Sequence, residues 1–344
     1  MDPASASATL MFAEARAAAD AVAAQSDCAA TLDRICSLLR DRGPHTVITC
    51  ARGSSDHAAT YAKYLIETRL GIPTASAAPS VTSLYAAPLH ADGMLAIAIS
   101  QSGRSPDLLA TVRSLKAGGA FVIALVNDCS SPLADLCDEV LPLRAGTETS
   151  VAATKSFIAT LAMIARLVAR WTEDAALERE LAELPAKLHD AFELDWSAMV
   201  DQLVECDNAY VLGRGLGLGI AQEAALKLKE TSQIHAEAFS TAELQHGPMA
   251  LVGPGLPLLL FGQSDAAGSG EDELVVQLRE RGAPVLVAGR AAGSGALLPI
   301  IAGSAVTEPI LQIQAFYRAA NALAVARGRD PDQPPYLRKV TRTV

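Results

Sequence analysis

The sequence predicts an α/β protein of two tandem doubly wound domains, each built on a parallel sheet covered by helices. Short apolar runs alternate with segments of helical period, as expected of parallel strands joined by crossover helices. The layout also occurs twice: Arg52-Gly53 returns 162 positions later as Arg214-Gly215, and Gly119-Ala120 returns 163 positions later as Gly282-Ala283. With 344 residues, the chain is long enough for two domains with separate cores.

In chain order, residues 1–45 read as a helical lead-in. The apolar run Thr46 to Ala51 reads as a strand, ends in Arg52-Gly53-Ser54-Ser55, and precedes a helical pattern with Tyr61, Tyr64 and Leu65. Met94 to Ile99 is a second strand that runs into Ser100-Gln101-Ser102-Gly103-Arg104-Ser105. A helix to Lys116, the pair Gly118-Gly119 and a strand Phe121 to Val126 follow. These belong to a first domain at 46–170; residues 171–198, charged and helical in period, form a linker. The second domain, 199–327, carries strands Ala209 to Gly213 and Pro284 to Ala288, with Leu278 in the place of Leu115, and a last helix Gln312 to Ala326. Gly328 and the prolines Pro331, Pro334 and Pro335 end regular structure, leaving a tail at 328–344.

Composition narrows the function classes. Half the residues are apolar and 19% charged, which suits packed cores and argues against disorder. The net charge of -10 comes from 28 basic and 38 acidic residues with no Lys/Arg cluster, so nucleic acid is not an expected partner. The six cysteines lack Cys-x-x-Cys spacing and read as buried thiols of a reducing compartment. Asp2, Glu14 and Asp20 do not fit a signal peptide, and no unbroken apolar run has membrane-spanning length. The expectation is a cytoplasmic protein with no membrane partner.

Ser100, Ser102 and Ser105 lie between a strand end and a helix start, where amides without intrahelical partners carry partial positive charge. Such a turn can cradle an anion; it can also be a plain polar loop. Ser105-Pro106 reads as an N-cap followed by proline, with Gly103 taking the tight turn. Ser54 and Ser55 end the neighbouring strand, and open parallel sheets bind ligands at that edge, which favours the anion cradle. Gly213, Gly215, Gly217 and Gly219 lack the spacing of a dinucleotide site, so no nucleotide cofactor is expected.

Glu223, Lys227 and Glu230 share one helical face, as a solvated ion-pair stripe or as proton-transfer groups. The stretch Ile234 to Pro248 holds two of the six histidines, His235 and His246, eleven apart and without further ligands at helical spacing, so no metal is expected.

Several motifs resemble one family: Ser-Gln-Ser-Gly at 100–103, Thr-Glu-Thr-Ser-Val-Ala-Ala-Thr-Lys at 147–155, and Glu-Ala-Ala-Leu-Lys-Leu-Lys-Glu at 223–230. Ile-His-Ala-Glu at 234–237, Glu-Leu-Gln-His-Gly-Pro at 243–248, and Asp332-Gln333-Pro334 with Lys339 complete the set. The chain, from about Thr46 to Lys339, resembles the double sugar-isomerase (SIS) proteins. These include the isomerase half of glucosamine-6-phosphate synthase and the isomerase-like glucosamine-6-phosphate deaminases.

The resemblance implies that Ser100, Gln101, Ser102 and Ser105, with Ser54 nearby, hold a sugar 6-phosphate, and that Ser55 and Val151 contact sugar or phosphate. It implies that Glu230 moves a proton between C1 and C2, that Lys227 positions it, and that His246, supplied by the neighbouring subunit of a homodimer, opens the ring. It further implies that Lys339 closes over the substrate and engages the open-chain carbonyl. Ala153 stands where related sequences often have serine, which removes one hydroxyl contact. The synthase also has a glutaminase cysteine directly after the initiator methionine, where this chain has Asp2. The expected reaction is therefore hydrolysis of glucosamine 6-phosphate to fructose 6-phosphate and ammonia. The alternatives are aldose-ketose isomerisation, deglycation of a fructosamine 6-phosphate, and phosphosugar sensing without turnover.

Overall fold

The computed structural model describes residues 6–289 and 296–339. The chain divides into two compact units, each made of separated stretches. One, the first-sheet unit, comprises Asp20–Glu148, Lys155–Pro185 and the residues from Arg338. The other, the second-sheet unit, comprises the residues up to Ala19, Thr149–Thr154 and Ala186–Leu337.

The first sheet contains β1 (Thr46–Cys50), β2 (Thr74–Ser76), β3 (Met94–Ser100), β4 (Phe121–Val126) and β5 (Glu139–Pro142), all parallel, in the order β2-β1-β3-β4-β5. Both alternations of β3 are buried: Leu95, Ile97 and Ile99 on one side, Ala96 and Ala98 on the other. That is the pattern of a strand covered on both faces. Ala96 and Ala98 join Leu108, Val112 and Leu115 of helix Pro106–Ala117 in one core. Helix Lys155–Trp171 is apolar nearly all round and buried along its length, packing against helices Ala29–Arg42 and Ser54–Leu70.

The second sheet contains β6 (Asn208–Gly213), β7 (His235–Ser240), β8 (Leu258–Phe261), β9 (Val285–Ala288) and β10 (Ala296–Leu298). Its order, β10-β9-β8-β6-β7, is again parallel throughout. Counted within each copy, both sheets have the order 2-1-3-4-5, so the repeat seen in sequence is a repeat of topology. In each sheet the chain reverses direction beside its first strand, and the crevice at the carboxyl ends of the first and third strands is where such sheets take ligands. Leu274, Val275 and Leu278 of helix Glu271–Glu280 cover one face of the second sheet. Gly213 has a local packing cause: a Cβ there would lie 2.4 Å from the Gly217 carbonyl oxygen at the start of helix Gly217–Ser232.

The cysteines differ from expectation. Cys28, Cys36 and Cys50 are buried, but Cys137 and Cys206 are partly exposed and Cys129, in the turn after β4, is exposed. All six are free thiols, and burial pushes Cys36 and Cys50 up to about 12. No helix among the described residues is long and apolar enough to cross a membrane.

Candidate active site

In the first-sheet unit, the two serine turns occupy the crevice between β1 and β3. Ser100, at the end of β3, is buried, and its Oγ accepts the Gly103 N–H at 2.9 Å, closing the turn on itself. Gly103 has φ +64°, and a Cβ there would lie 2.1 Å from Ser131 Oγ, so the position requires glycine twice over. Ser105 stands at the N-cap of helix Pro106–Ala117 as predicted, but its side chain makes no capping bond. That hydroxyl stays available to a ligand, beside a helix start whose dipole favours negative charge. Ser54 and Ser55 form the first turn of helix Ser54–Leu70, capped by Gly53 with no side chain.

Two arginines missed in sequence brace these turns. Arg52, after β1, donates from Nε to Asp107 Oδ2 at 2.8 Å, and Asp107 is buried at the start of the helix after the second turn. The pair ties one serine turn to the other. Arg104, inside the second turn, pairs with Asp128 at 2.8 Å. Hydrogen bonds from Ser130, then Arg104, pull the Asp128 carboxyl down to about 2.

Lys339 belongs to the same unit. Its ammonium lies 3.0 Å from Glu148 Oε2, and the Glu148 side chain is fully buried. Glu148 also accepts from the Ser156 N–H at 3.1 Å and the Ser156 hydroxyl at 2.6 Å. The sequence signal for Glu148 was its place inside the motif 147–155.

In the second-sheet unit, helix Gly217–Ser232 brings Glu223, Lys227 and Glu230 together, and the solvated-stripe reading fails. Glu223 and Lys227 are 0% and 1% exposed. Lys227 Nζ lies 3.3 Å from Glu223 Oε1 and 2.5 Å from Glu230 Oε2, and the Tyr317 hydroxyl donates to Glu223 Oε1 at 3.0 Å. Burial alone would depress the Lys227 pKa, but Glu223 and Glu230 outweigh it and hold the ammonium above its ordinary value. Glu230 is the outer member. It opens onto a surface groove lined also by Leu226, Lys229, His235, Tyr336 and Leu337.

His246 ends a short 3-10 turn, Glu243–His246, and is exposed; among the described residues no hydrogen bond joins it to Glu230. Val151 lies in a loop held from both chain ends. Its N–H donates to the Asp332 carbonyl at 3.1 Å, while the Asp332 carboxylate accepts the Leu10 and Met11 N–H groups at 2.8 and 2.7 Å. Glu14 accepts the Thr149 and Ser150 N–H groups. Among the described residues no cluster of three or more His, Cys, Asp or Glu could hold a metal ion.

The SIS domain pattern matches residues 41–170 and 202–294. The glutamine–fructose-6-phosphate aminotransferase (isomerizing) of Zymomonas mobilis is 32% identical over 318 residues, covering 86% of this chain and 51% of that protein. The Gluconobacter oxydans protein of the same name is 34% identical over 316 residues, with the same coverage. The chain thus spans about half the length of these relatives. Among solved structures, a candidate phosphosugar isomerase from Silicibacter pomeroyi has 42% identity and a TM-score of 0.90, covering 94% of this chain and all of that one. A glucosamine-6-phosphate deaminase from Thermotoga maritima shares the fold at TM-score 0.81 and 24% identity, covering 97% of this chain and all of that one.

Proposed function

The chain belongs to the SIS domain family, and from that premise we propose that it is a hexosamine-6-phosphate deaminase acting on glucosamine 6-phosphate. The observation that carries the reading is Glu230, a carboxylate fixed by the buried Lys227 at 2.5 Å and left partly open to solvent on its other side. A proton shuttle between adjacent carbons needs a single base held still within reach of both.

In this reading Ser100, Gln101, Ser102 and Ser105, with Ser54 nearby, hold the 6-phosphate, while Ser55 and Val151 contact sugar or phosphate. His246 of a second copy in a homodimer protonates the ring oxygen and opens the sugar to its C1 aldehyde. Glu230 removes the proton from C2 and returns it to C1, converting the amino-aldehyde into a C2 ketimine with a C1 hydroxyl. Water adds to the ketimine, and the carbon–nitrogen bond breaks to give fructose 6-phosphate and ammonia. Lys227 keeps Glu230 in place, and Lys339, drawn from Glu148, engages the open-chain carbonyl. The purified protein should release ammonia from glucosamine 6-phosphate in a coupled assay. Glu230→Gln should lower turnover about 10²–10⁴-fold with little change in substrate affinity. Release of no ammonia from any hexosamine 6-phosphate would refute the deaminase.

The 42% identity to a candidate phosphosugar isomerase favours a second reading, aldose-ketose isomerisation. The same shuttle then works on a C2 hydroxyl and yields a ketose without ammonia. A panel of hexose and hexosamine 6-phosphates separates the two.

A further inference from the structure

In the second-sheet unit the segment Thr149–Thr154 is an irregular stretch whose neighbours in the chain, Glu148 and Lys155, belong to the other unit. Exposure alternates along it: Ser150, Ala152 and Thr154 are fully buried, while Val151 and Ala153 between them are partly exposed. The strip therefore has an inner side and an outer side, and Val151 is on the outer one.

Three consecutive amides anchor the strip. The Thr149 and Ser150 N–H groups donate to the Glu14 carboxylate, the second at 3.1 Å, and the Val151 N–H donates to the Asp332 carbonyl at 3.1 Å. Glu14 lies on helix Leu10–Arg16 and is 9% exposed. A carboxylate so withdrawn from water is stabilised by donors aimed at it, and its charge makes each bond stronger than one between neutral groups. The helix that carries Glu14 is itself tied down by helix Glu308–Ala326. Gln314 Nε2 donates to the Ala15 carbonyl at 3.0 Å, Asn321 Nδ2 to the Ala6 carbonyl at 2.7 Å, and the Thr9 hydroxyl to Asn321 Oδ1 at 2.6 Å. Backbone outside helices and sheets has no ladder to satisfy its amides, and here Glu14 and Asp332 take that place.

We propose that Glu14 is a positioning residue for the sugar phosphate: by holding the Thr149 and Ser150 amides it fixes the backbone on which Val151 meets the ligand. The proposal rests on the reading above, in which Val151 contacts sugar or phosphate. Glu14 acts through the strip and touches no substrate. A strip already held in one conformation loses little freedom when a ligand binds, so loosening it weakens affinity more than it slows the turnover of bound substrate.

Calorimetric titration of the full chain with glucitol 6-phosphate, an open-chain sugar phosphate with no carbonyl to react, tests this without relying on turnover. Glu14→Gln keeps the shape of the side chain but sets an NH2 group against one of the two amides, and should weaken binding about tenfold. Leu274→Ala, a truncation in the core over the second sheet, is the stability control: it should lower the melting temperature at least as far and leave affinity within about twofold of wild type. For any 6-phosphate that the wild type turns over, KM should rise in Glu14→Gln with little change in kcat. If Glu14→Gln does not fold, Glu14→Asp, which keeps the charge and draws the carboxylate back by one methylene, should weaken binding about threefold or more. Unchanged affinity in the Glu14 variant, an equal loss in Leu274→Ala, or a wild type that binds no glucitol 6-phosphate would overturn the proposal. Affinity lost in the Glu14 variant alone, in a protein that releases no ammonia, would refute the deaminase and support the positioning role.

Discussion

Glu271→Gln tests the electrostatics of the second sheet directly. Glu271 opens helix Glu271–Glu280 and is 7% exposed. Its Oε2 accepts one weak bond, from the Gln263 N–H at 3.3 Å, and its Oε1 is buried with no partner. Burial therefore dominates and raises its pKa from 4.5 to about 7. A raised folded-state value means that the native protein holds a proton the unfolded chain has released. The resulting stability is fully present below pH 4.5, falls as pH rises, and is gone above about pH 7. At about 1.4 kcal/mol per pKa unit, wild type should lose about 2–3 kcal/mol relative to Glu271→Gln between pH 5 and pH 8. The glutamine keeps an oxygen for the Gln263 N–H and carries no charge at any of these pH values. Urea unfolding of both proteins at pH 5, 6, 7 and 8 reads the difference. Parallel stability curves would refute the reasoning, because they would mean that Glu271 is ionised in the folded protein throughout.

Three further perturbations follow from the geometry. Lys227→Met leaves the Glu223 carboxylate buried without its counter-charge and should cost about 3–5 kcal/mol in urea unfolding; adding Glu223→Gln should recover most of the loss. Gly103→Ala places a Cβ 2.1 Å from Ser131 Oγ at a positive φ, so titration with inorganic phosphate should show binding lost at the serine turn, with partial return in Gly103→Ala/Ser131→Gly. Asp332→Ala removes the acceptor for two N-terminal amides and should lower stability by about 1 kcal/mol, measured as a fall in melting temperature.

The strands and serine turns were legible because period and turn chemistry are local properties. Met94 to Ile99 reads as a buried strand from its own apolar run, and Ser105-Pro106 marks a helix start within two residues. The burial of Glu223 and Lys227 was not legible. Intervals of four and three place side chains on one helical face, but only the packing of helix Glu308–Ala326, which brings Tyr317 against Glu223, decides whether that face meets water or core. The bracing of the serine turns was hidden for a related reason. Arg52 and Asp107 are 55 positions apart, and their pairing depends on β1 and β3 being neighbours in the sheet. Glu14 and Asp332 were harder still, since their partners lie 135 or more positions away and carboxylates that accept backbone N–H groups have no sequence period.

The Asp332 junction also bears on how the chain is made. During synthesis, the helix at Leu10–Arg16 leaves the ribosome well before the carboxylate that accepts its Leu10 and Met11 amides, which arrives 322 and 321 positions later. The same late residue supplies the carbonyl that holds Val151. Until residue 332 has emerged, the Leu10, Met11 and Val151 amides of the nascent second-sheet unit lack their acceptor, with the helix start held by Thr9 and the loop by Glu14. Its last step of folding therefore falls after residue 332 has been translated.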